Sequence, residues 1–533
     1  TNDITYVAHI DWTKISLEAQ PAVAEQVSTL LGIKLRPQPQ ETIFVLSPEF
    51  AGNLTAQPKS GWVTKIPGFS IETQLSRDYP YGALAGNLIG YKAPWVNAGG
   101  AGLEWQFDKL LDGREHTNYY LRKSYGQPLE STDILPRDLD GADLTLTIDE
   151  RIQYMMETEM ATALDDTKAE NAIGMVMDAK TGEMLAIASL PTYHPADYAA
   201  VPPEHRQSLP LLMNYEPGST FKPIVISAAY EDGLVDESFT IHCTGQRFVA
   251  GRHIGEFDNH IHGTVSLKDI IIQSCNVGAS EVGSLLSPVQ WREWFFKYGF
   301  GQSALLESQR DSGVAHRPLE ENGILQKQIG PVERANMGFG QGVSVTPIQM
   351  IRAYSAFAND GLMVNPCLVK ELRASDGRLL FACRPETKRV ISKKTAQFIR
   401  SAMEGAVNNP KGTSVAARIN GYLFGGKTGT AQKVVDGVYR RDKVIVSFFE
   451  IAPLDDPQYI VAVVLNEPKT YKASGGSLAA PVVKRIVQKL LWYEEIPPSH
   501  ADKKYLLANA NENAGMAQAT AAAQDSGGSH ETQ

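Results

Sequence analysis

The sequence predicts an α+β fold preceded by an extended, mostly β module. Two apolar runs, 172–177 and 183–189, flank the turn sequence Asp-Ala-Lys-Thr-Gly, which predicts a β-hairpin. Helical patterns dominate from about 219 to 300, and strand patterns return at 444–452 and 459–466. Helices inserted between strands of one sheet are typical of an α+β core.

The amino-acid composition and the hydrophobic pattern change near residue 141, which predicts a domain boundary there. Residues 1–140 are rich in Gly, Pro and aromatic residues, which predicts an irregular, extended, non-catalytic module. Residues 143–148 then alternate between polar and apolar side chains, and Asp149 can cap a helix over 150–164. We therefore expect the main domain to occupy 141–495.

Length and charge exclude several classes of protein. The 533 residues carry 50 Lys and Arg against 60 Asp and Glu, a net charge of −10, so no nucleic-acid partner is expected. No run approaches the roughly 18 apolar residues of a membrane helix. The chain begins at Thr1 without a basic leader, so we expect an upstream segment to be missing.

Residues 496–533 are rich in Ala, Asn, Gln and Ser and are predicted to be a disordered tail.

Four cysteines are too few for a disulfide-framed scaffold in a chain of this length. Cys367 and Cys383 flank a hairpin-like stretch whose turn is predicted at 376–377. A two-residue turn would place these two side chains on opposite faces of the ribbon. All four cysteines, Cys243 and Cys275 included, are therefore predicted to be free.

The first candidate for chemistry is a serine followed three residues later by a lysine. Ser219 comes directly after a Pro-Gly break, at the predicted start of a helix, and Lys222 lies on the same helix face. A hydroxyl at a helix N-terminus beside an amine suits a nucleophile and its base. An N-capping serine with a solvated lysine is the simpler alternative for such a pair taken alone.

Two further motifs follow Ser219 along the chain. Ser274 and Asn276 could direct a hydroxyl and an amide into one cleft, although an isolated tripeptide of this kind more often stabilises a turn. Lys-Thr-Gly occurs at 180–182 and again at 427–429. The first copy lies in the predicted hairpin turn, so we assign the second copy, which Thr430 extends, to substrate binding.

The three motifs together resemble those of penicillin-binding proteins and serine β-lactamases. More narrowly, the chain resembles class B penicillin-binding proteins, which are monofunctional peptidoglycan DD-transpeptidases, over about residues 75–490. Besides the three motifs, the segments that carry this resemblance are 77–80, 102–104, 146–149, 178–182, 216–223, 338–342 and 427–432. Residues 447–453 and 475–476 look more like the division-type than the elongation-type branch.

The resemblance implies a role for each motif residue. Ser219 would be the acylated nucleophile, Lys222 its proton acceptor, and Ser274 a relay toward the leaving amine. The substrate-binding residues would be Asn276, Lys427, Thr428, Gly429 and Thr430. Backbone N–H groups of Ser219 and Thr430 would form the oxyanion hole, and Lys427 would help to lower the pKa of Lys222.

This family resemblance implies a septal cell-wall enzyme held in the bacterial inner membrane by one N-terminal anchor that this chain lacks, with a periplasmic catalytic domain. Its ligands would be peptidoglycan stem peptides that end in D-Ala-D-Ala, and β-lactam antibiotics. Its partners would be a SEDS-family glycan polymerase and other wall-synthesis membrane proteins, and no cofactor is expected. Two alternatives stay open: a β-lactamase, and a catalytically silent scaffold or β-lactam sensor.

Three weaker patterns complete the analysis. His260 and His262, near His242, Cys243 and His253, have spacings that fit no common zinc site, so no metal is predicted.

Arg77 and Glu104 could pair at the boundary of the first module. Residues 307–313 depart from the usual family pattern, which leaves the loop geometry near the cleft open.

Overall fold

The protein is described by a computed structural model, and the described residues are 2–31, 34–38, 42–46, 66–93, 98–112, 140–257, 260–305, 329–435 and 437–499. The unusual segment 307–313 and the predicted tail from residue 500 onward lie outside them. None of the described helices is both long and apolar enough to cross a membrane.

The described helices are α1 Gln20–Leu31, α2 Gly86–Ile89, α3 Gly102–Gln106, α4 Asp108–Leu111, α5 Glu150–Thr167, α6 Leu209–Leu212, α7 Lys222–Glu231, α8 Leu267–Ile272, α9 Asn276–Leu285, α10 Pro288–Lys297, α11 Pro331–Met337, α12 Pro347–Ala358, α13 Lys393–Asn408 and α14 Ala480–Tyr493. The described strands are β1 Asn2–Ile10, β2 Thr42–Leu46, β3 Phe69–Arg77, β4 Lys92–Ala93, β5 Ala98–Gly99, β6 Asp143–Leu146, β7 Asn171–Asp178, β8 Met184–Leu190, β9 Thr240–Cys243, β10 Gln246–Val249, β11 Arg252–Gly255, β12 Gly263–Ser266, β13 Leu362–Val364, β14 Val369–Arg373, β15 Leu379–Ala382, β16 Thr387–Arg389, β17 Gly425–Val435, β18 Val438–Ala452 and β19 Tyr459–Asn466.

A five-stranded antiparallel sheet in the order β17-β18-β19-β7-β8 forms the centre of the main domain. Every residue of β19 is buried, because helices cover both faces of the sheet. Ile460 and Ala462 pack on the side of α7 and α12, whereas Val461 and Val463 pack on the side of α5 and α14. The α+β prediction is confirmed.

The helix that was predicted to begin after Asp149 is confirmed, and so is its cap. The Asp149 carboxylate accepts hydrogen bonds from the N–H groups of Arg151 and Ile152, at 2.9 and 3.0 Å, and caps α5. The hairpin β7–β8 follows, and the Asp178 carboxylate accepts hydrogen bonds from the backbone of its turn. Strands β9 to β12, however, interrupt the stretch that was expected to be mainly helical.

The described part of the N-terminal module contains strands, as expected, but it also contains the helices α1 to α4, which the sequence analysis missed. Its sheet has the order β2-β1-β3, and α1 packs its Val23 and Val27 side chains against Trp12. Arg77 at the end of β3 donates to Glu104 of α3 at 3.1 Å, which confirms the predicted pair.

The prediction that all four cysteines are free was wrong for Cys367 and Cys383, which form a disulfide. Strand alternation does not govern Cys367, because this residue precedes β14 and a register shift follows between Val369 and Glu371. The chain therefore leaves the ribbon geometry before it reaches the cysteine. Among the described residues, Cys243 and Cys275 are free.

Candidate active site

Ser219 lies on a short 3₁₀ turn, Gly218–Phe221, which leads directly into α7. Two hydrogen bonds to the backbone of this turn hold it in place. The Gly218 N–H donates to the Gly340 carbonyl at 3.1 Å, and the Tyr354 hydroxyl donates to the Thr220 carbonyl at 2.7 Å. The tyrosine is completely buried, so its hydrogen bond fixes the turn to the core. Ser219 is thereby held at the start of a helix, as its sequence context predicts.

Lys222 is completely buried, and its Nζ points toward the Ser274 segment. The amine donates to the Ser274 carbonyl, to Ser274 Oγ at 3.2 Å and to Asn276 Oδ1 at 2.8 Å. No hydrogen bond among the described residues joins it to Ser219. Burial lowers the pKa of Lys222 to about 8, although the negative charge of Glu256 opposes this shift.

Ser274 occupies the turn between α8 and α9 with a φ of 59°, in the left-handed region that non-glycine residues avoid. Its hydroxyl lies between two lysines, since Lys427 Nζ also donates to Ser274 Oγ, at 2.9 Å. The lysine contacts of its carbonyl and hydroxyl hold this strained conformation. The structure thus brings Ser274, Asn276 and both lysines together.

The second Lys-Thr-Gly copy lies on edge strand β17, beside the Ser219 turn. Lys427 is completely buried, and burial followed by repulsion from Lys222 holds its pKa well below the ordinary value. Burial is the main cause of the lowered pKa of Lys222, and at Lys427 repulsion from Lys222 adds to the effect of burial. Repulsion between two amines acts on both, so it has the sign expected for an effect of Lys427 on Lys222.

Gly429 allows β17 to approach the turn that carries Ser219. A Cβ atom at this position would lie 2.4 Å from Ser447 Oγ, 2.9 Å from Thr220 Cγ2 and 3.1 Å from the Pro217 carbonyl oxygen. Any larger residue would therefore push the strand away from the turn. The need for glycine here is steric.

The two threonines of the motif support the same wall of the cleft. Thr428 Oγ1 donates to Thr413 Oγ1 at 2.9 Å, and Thr430 Oγ1 accepts from the Gly475 N–H at 3.1 Å. The first copy of Lys-Thr-Gly lies elsewhere, in the β7–β8 turn, where the half-exposed Lys180 faces Asp456 at 3.6 Å.

Glu256 is a buried residue of this site that the sequence analysis missed. Its Oε2 accepts from the Asn276 N–H at 2.8 Å, and its Oε1 accepts from the Val277 N–H at 2.7 Å, so the carboxylate holds the start of α9. Burial alone would raise the pKa of Glu256, but Lys222 and these two N–H groups outweigh burial and lower it. No local pattern around a single glutamate 20 residues before Asn276 indicates this contact.

A cleft of about 1110 Å³ joins these groups, and its lining includes Ser219, Ser274, Asn276, Thr428 and Thr430. Of the described residues that line it, Glu256 is the one carboxylate. Buried amines, hydroxyls and an amide around an accessible serine suit acyl transfer.

Comparison with protein families agrees with this chemistry. Residues 172–488 match the Penicillin binding protein transpeptidase domain, and residues 46–146 match the Penicillin-binding Protein dimerisation domain. The first match spans more than half of the chain. The chain belongs to the penicillin-binding protein transpeptidase family.

Individual relatives extend the likeness across both modules. Stage V sporulation protein D of Bacillus subtilis is 35% identical over 83% of this chain and 68% of that protein. The probable peptidoglycan D,D-transpeptidase PenA of Neisseria meningitidis is 31% identical over 79% of this chain and 69% of that protein. The crystal structure of penicillin-binding protein 3 from Mycobacterium tuberculosis superposes with a TM-score of 0.68 at 28% identity, covering 80% of this chain and 92% of that one.

Proposed function

We propose that this protein is a division-type peptidoglycan D,D-transpeptidase that acts through an acyl-enzyme on Ser219. The observation that carries the proposal is the position of Ser274 Oγ, 3.2 Å from Lys222 Nζ and 2.9 Å from Lys427 Nζ, in the cleft that Ser219 lines. The relatives named as D,D-transpeptidases support the reaction, and a related structure of M. tuberculosis penicillin-binding protein 3 in complex with aztreonam supports β-lactam binding.

In the acylation step, Ser219 Oγ attacks the carbonyl of the penultimate D-Ala of a stem peptide. Lys222 in its neutral form accepts the hydroxyl proton, and a pKa of about 8 gives roughly a tenth of the molecules a neutral amine at pH 7. The N–H groups of Ser219 and Thr430 stabilise the oxyanion. Support comes from the close packing of β17 on the nucleophile turn at Gly429.

The departing D-Ala amine needs the proton that Lys222 received. Ser274 carries it, because its hydroxyl is within hydrogen-bond distance of Lys222 and the cleft. The C–N bond breaks, D-Ala leaves, and the amine of an acceptor stem peptide then attacks the ester and restores the Ser219 hydroxyl. Asn276 holds the donor amide.

Lys427 and the hydroxyls of Thr428 and Thr430 bind the terminal carboxylate of the donor peptide. An incoming carboxylate favours the charged form of Lys427, which repulsion and burial disfavour in the free protein. Substrate binding therefore draws a proton onto Lys427 and leaves the base, Lys222, neutral.

A transpeptidase fits the cleft better than a β-lactamase. A lactamase needs a base that activates the deacylating water, and Glu256 is the one carboxylate among the described lining residues. Both of its oxygens already accept backbone N–H groups, from Asn276 and Val277. A silent scaffold is disfavoured by the complete set of acyl-transfer residues.

Mass spectrometry after exposure to penicillin tests the proposal. One covalent adduct on the Ser219 peptide that persists for hours is expected from a transpeptidase. Rapid loss of the adduct would indicate a lactamase, and no adduct would indicate a scaffold. An adduct on a different peptide would refute the choice of nucleophile.

The family resemblance extends the proposal to the setting of the reaction. Stem peptides lie outside the cytoplasmic membrane, so the catalytic domain acts there, tethered by an N-terminal anchor beyond this chain. A SEDS-family glycan polymerase supplies the strands that it cross-links, together with other wall-synthesis membrane proteins. Co-purification of a SEDS polymerase with the full-length protein from membranes tests this association, and its absence under mild detergent would count against it.

A further inference from the structure

Three side chains with metal-binding atoms meet behind the Ser274 turn, and a histidine lies beside them. One ligand atom each from Cys243, Glu256 and Cys275, all buried, lies within 4.8 Å of the others. The His262 Nε2 approaches from the side, 3.5 Å from Glu256 Oε2. These residues come from the end of β9, the end of β11, the segment before β12 and the start of α9, so the tertiary structure assembles the cluster.

Hydrogen bonds alone satisfy this cluster poorly. Three donors converge on Glu256 Oε1: the Val277 N–H at 2.7 Å, the Cys275 thiol at 3.1 Å and the Cys243 thiol at 3.4 Å. A carboxylate oxygen offers two lone pairs, and thiols are weak donors, so one oxygen cannot serve all three well. A cation between the sulfurs and the carboxylate would use the same lone pairs without this crowding.

The histidine provides a second, independent observation. The His262 side chain is only 8% exposed, and its Nδ1 has no hydrogen-bond partner among the described residues. A buried imidazole without a hydrogen bond is costly in a folded protein. Coordination of a metal ion through one ring nitrogen would offset the cost of burying this side chain.

The start of α9 directs an N–H group at the Cys275 sulfur. Cys275 is the N-cap residue of this ten-residue helix, and its sulfur accepts a hydrogen bond from the Gly278 N–H at 3.2 Å. Burial and the Glu256 carboxylate raise the pKa of the metal-free Cys275 thiol, so a bound cation has to displace its proton. N–H groups that contact a metal-bound sulfur or carboxylate orient the ligand in the same way.

We propose that Cys243, Cys275, Glu256 and His262 form a structural site for a divalent transition metal of the Zn²⁺ class. Two thiolates, an imidazole and a carboxylate suit a tetrahedral Zn²⁺ ion with Zn–S distances of about 2.3 Å. Binding releases two thiol protons to solvent, and the neutral imidazole contributes a lone pair. Four protein ligands close the coordination sphere, so the ion orders the fold and takes no part in acyl transfer.

The site would fix the residues that flank it. Cys275 lies between Ser274 and Asn276, so a metal bound to its sulfur would fix the positions of both cleft residues relative to β9 and β11. The expected consequence of metal removal is a looser Ser274 turn and slower acylation.

Metal content tests the site independently of enzyme activity. The full chain is reduced, stripped with a chelator, dialysed against Zn²⁺ alone and assayed by elemental mass spectrometry, with one zinc per chain expected. Cys243→Ser and Cys275→Ser should each lose it. The matched control is His242→Gln, because this exposed histidine of β9 neighbours Cys243 but points its ring toward Thr264. Co²⁺ should give intense tetrahedral visible bands and a thiolate-to-cobalt charge-transfer band.

A cobalt spectrum of a chain that keeps all four proposed ligands makes the proposal testable even if a Cys243 or Cys275 variant fails to fold. Reduction also opens the Cys367–Cys383 bond, so this spectrum is recorded on the Cys367→Ser/Cys383→Ser variant, in which the charge-transfer band can come only from Cys243 and Cys275. The proposal is overturned if the reduced chain binds no metal, if both serine variants retain it, or if the stable form is a Cys243–Cys275 disulfide. None of these results would affect the assignment of Ser219.

Discussion

Lys222 and Lys427 donate to the same acceptor, Ser274 Oγ, at 3.2 and 2.9 Å. Both amines are completely buried, so a positive charge on either of them is less stable than on an exposed lysine. Near neutral pH the two amines together therefore carry less than two full positive charges. In the proposed mechanism, the hydroxyl that they share offers a proton path between the base and the leaving group.

The first prediction concerns pH. Lys222 acts as a base only when it is neutral, and its lowered pKa of about 8 means that the rate of β-lactam acylation should rise with pH and level off above about 8. An unshifted lysine would give a rise that continues toward its ordinary pKa of 10.5. Acylation rates with a fluorescent penicillin from about pH 6 to about pH 9.5 measure this profile. A rate that is flat across this range would contradict the role of Lys222.

The second prediction separates the two Lys-Thr-Gly copies. Lys427→Ala should slow acylation by about 10²-fold or more, because the variant loses the cation for the substrate carboxylate and the contact with Ser274. Lys180→Ala is the matched control. Its half-exposed amine makes a long ion pair with Asp456, so its loss should change the free energy of unfolding by at most about 0.5 kcal/mol and leave acylation unchanged. The opposite pattern of rates would mean that the first copy serves the site.

The third prediction tests the steric role of Gly429. Gly429→Ala should slow acylation and cost about 1–3 kcal/mol of stability, because its Cβ would lie 2.4 Å from Ser447 Oγ and 3.1 Å from the Pro217 carbonyl oxygen. Gly255→Ala is the control for stability alone, since the nearest atom to its Cβ would be 4.0 Å away but the residue lines the cleft. Urea unfolding compares the stability of the two variants, and acylation rates compare Gly429→Ala with the unaltered protein. An equal loss of stability in the two variants would exclude close packing as the reason for glycine.

The fourth prediction concerns the disulfide. Cys367 and Cys383 are 16 residues apart, so opening the bond should destabilise the protein by up to about 3 kcal/mol through the entropy of the unfolded chain. Cys383→Ser should lower the unfolding midpoint and leave acylation unchanged, because neither cysteine lines the cleft. Non-reducing peptide mapping checks the bond itself. Free thiols at both positions in the oxidised protein would contradict the pairing.

Local patterns in the sequence determined the α+β class, the Asp149-capped helix and the position of Ser219 at a helix start. Each of these depends on neighbours within a few residues, namely side-chain alternation, a capping carboxylate and a Pro-Gly break. The order of the three motifs also indicated the family before any contact was known.

Only the tertiary structure decided the contacts between distant segments. It placed Glu256 on the N–H groups of Asn276 and Val277, it paired Cys367 with Cys383, and it showed that burial is the main cause of the lowered pKa of Lys222. Desolvation and contacts between distant residues depend on how the helices and strands pack. The spacing of residues in the sequence does not specify that packing. The sequence alone therefore indicated the candidate reacting groups, and the fold determined which of them contact one another and how deeply they are buried.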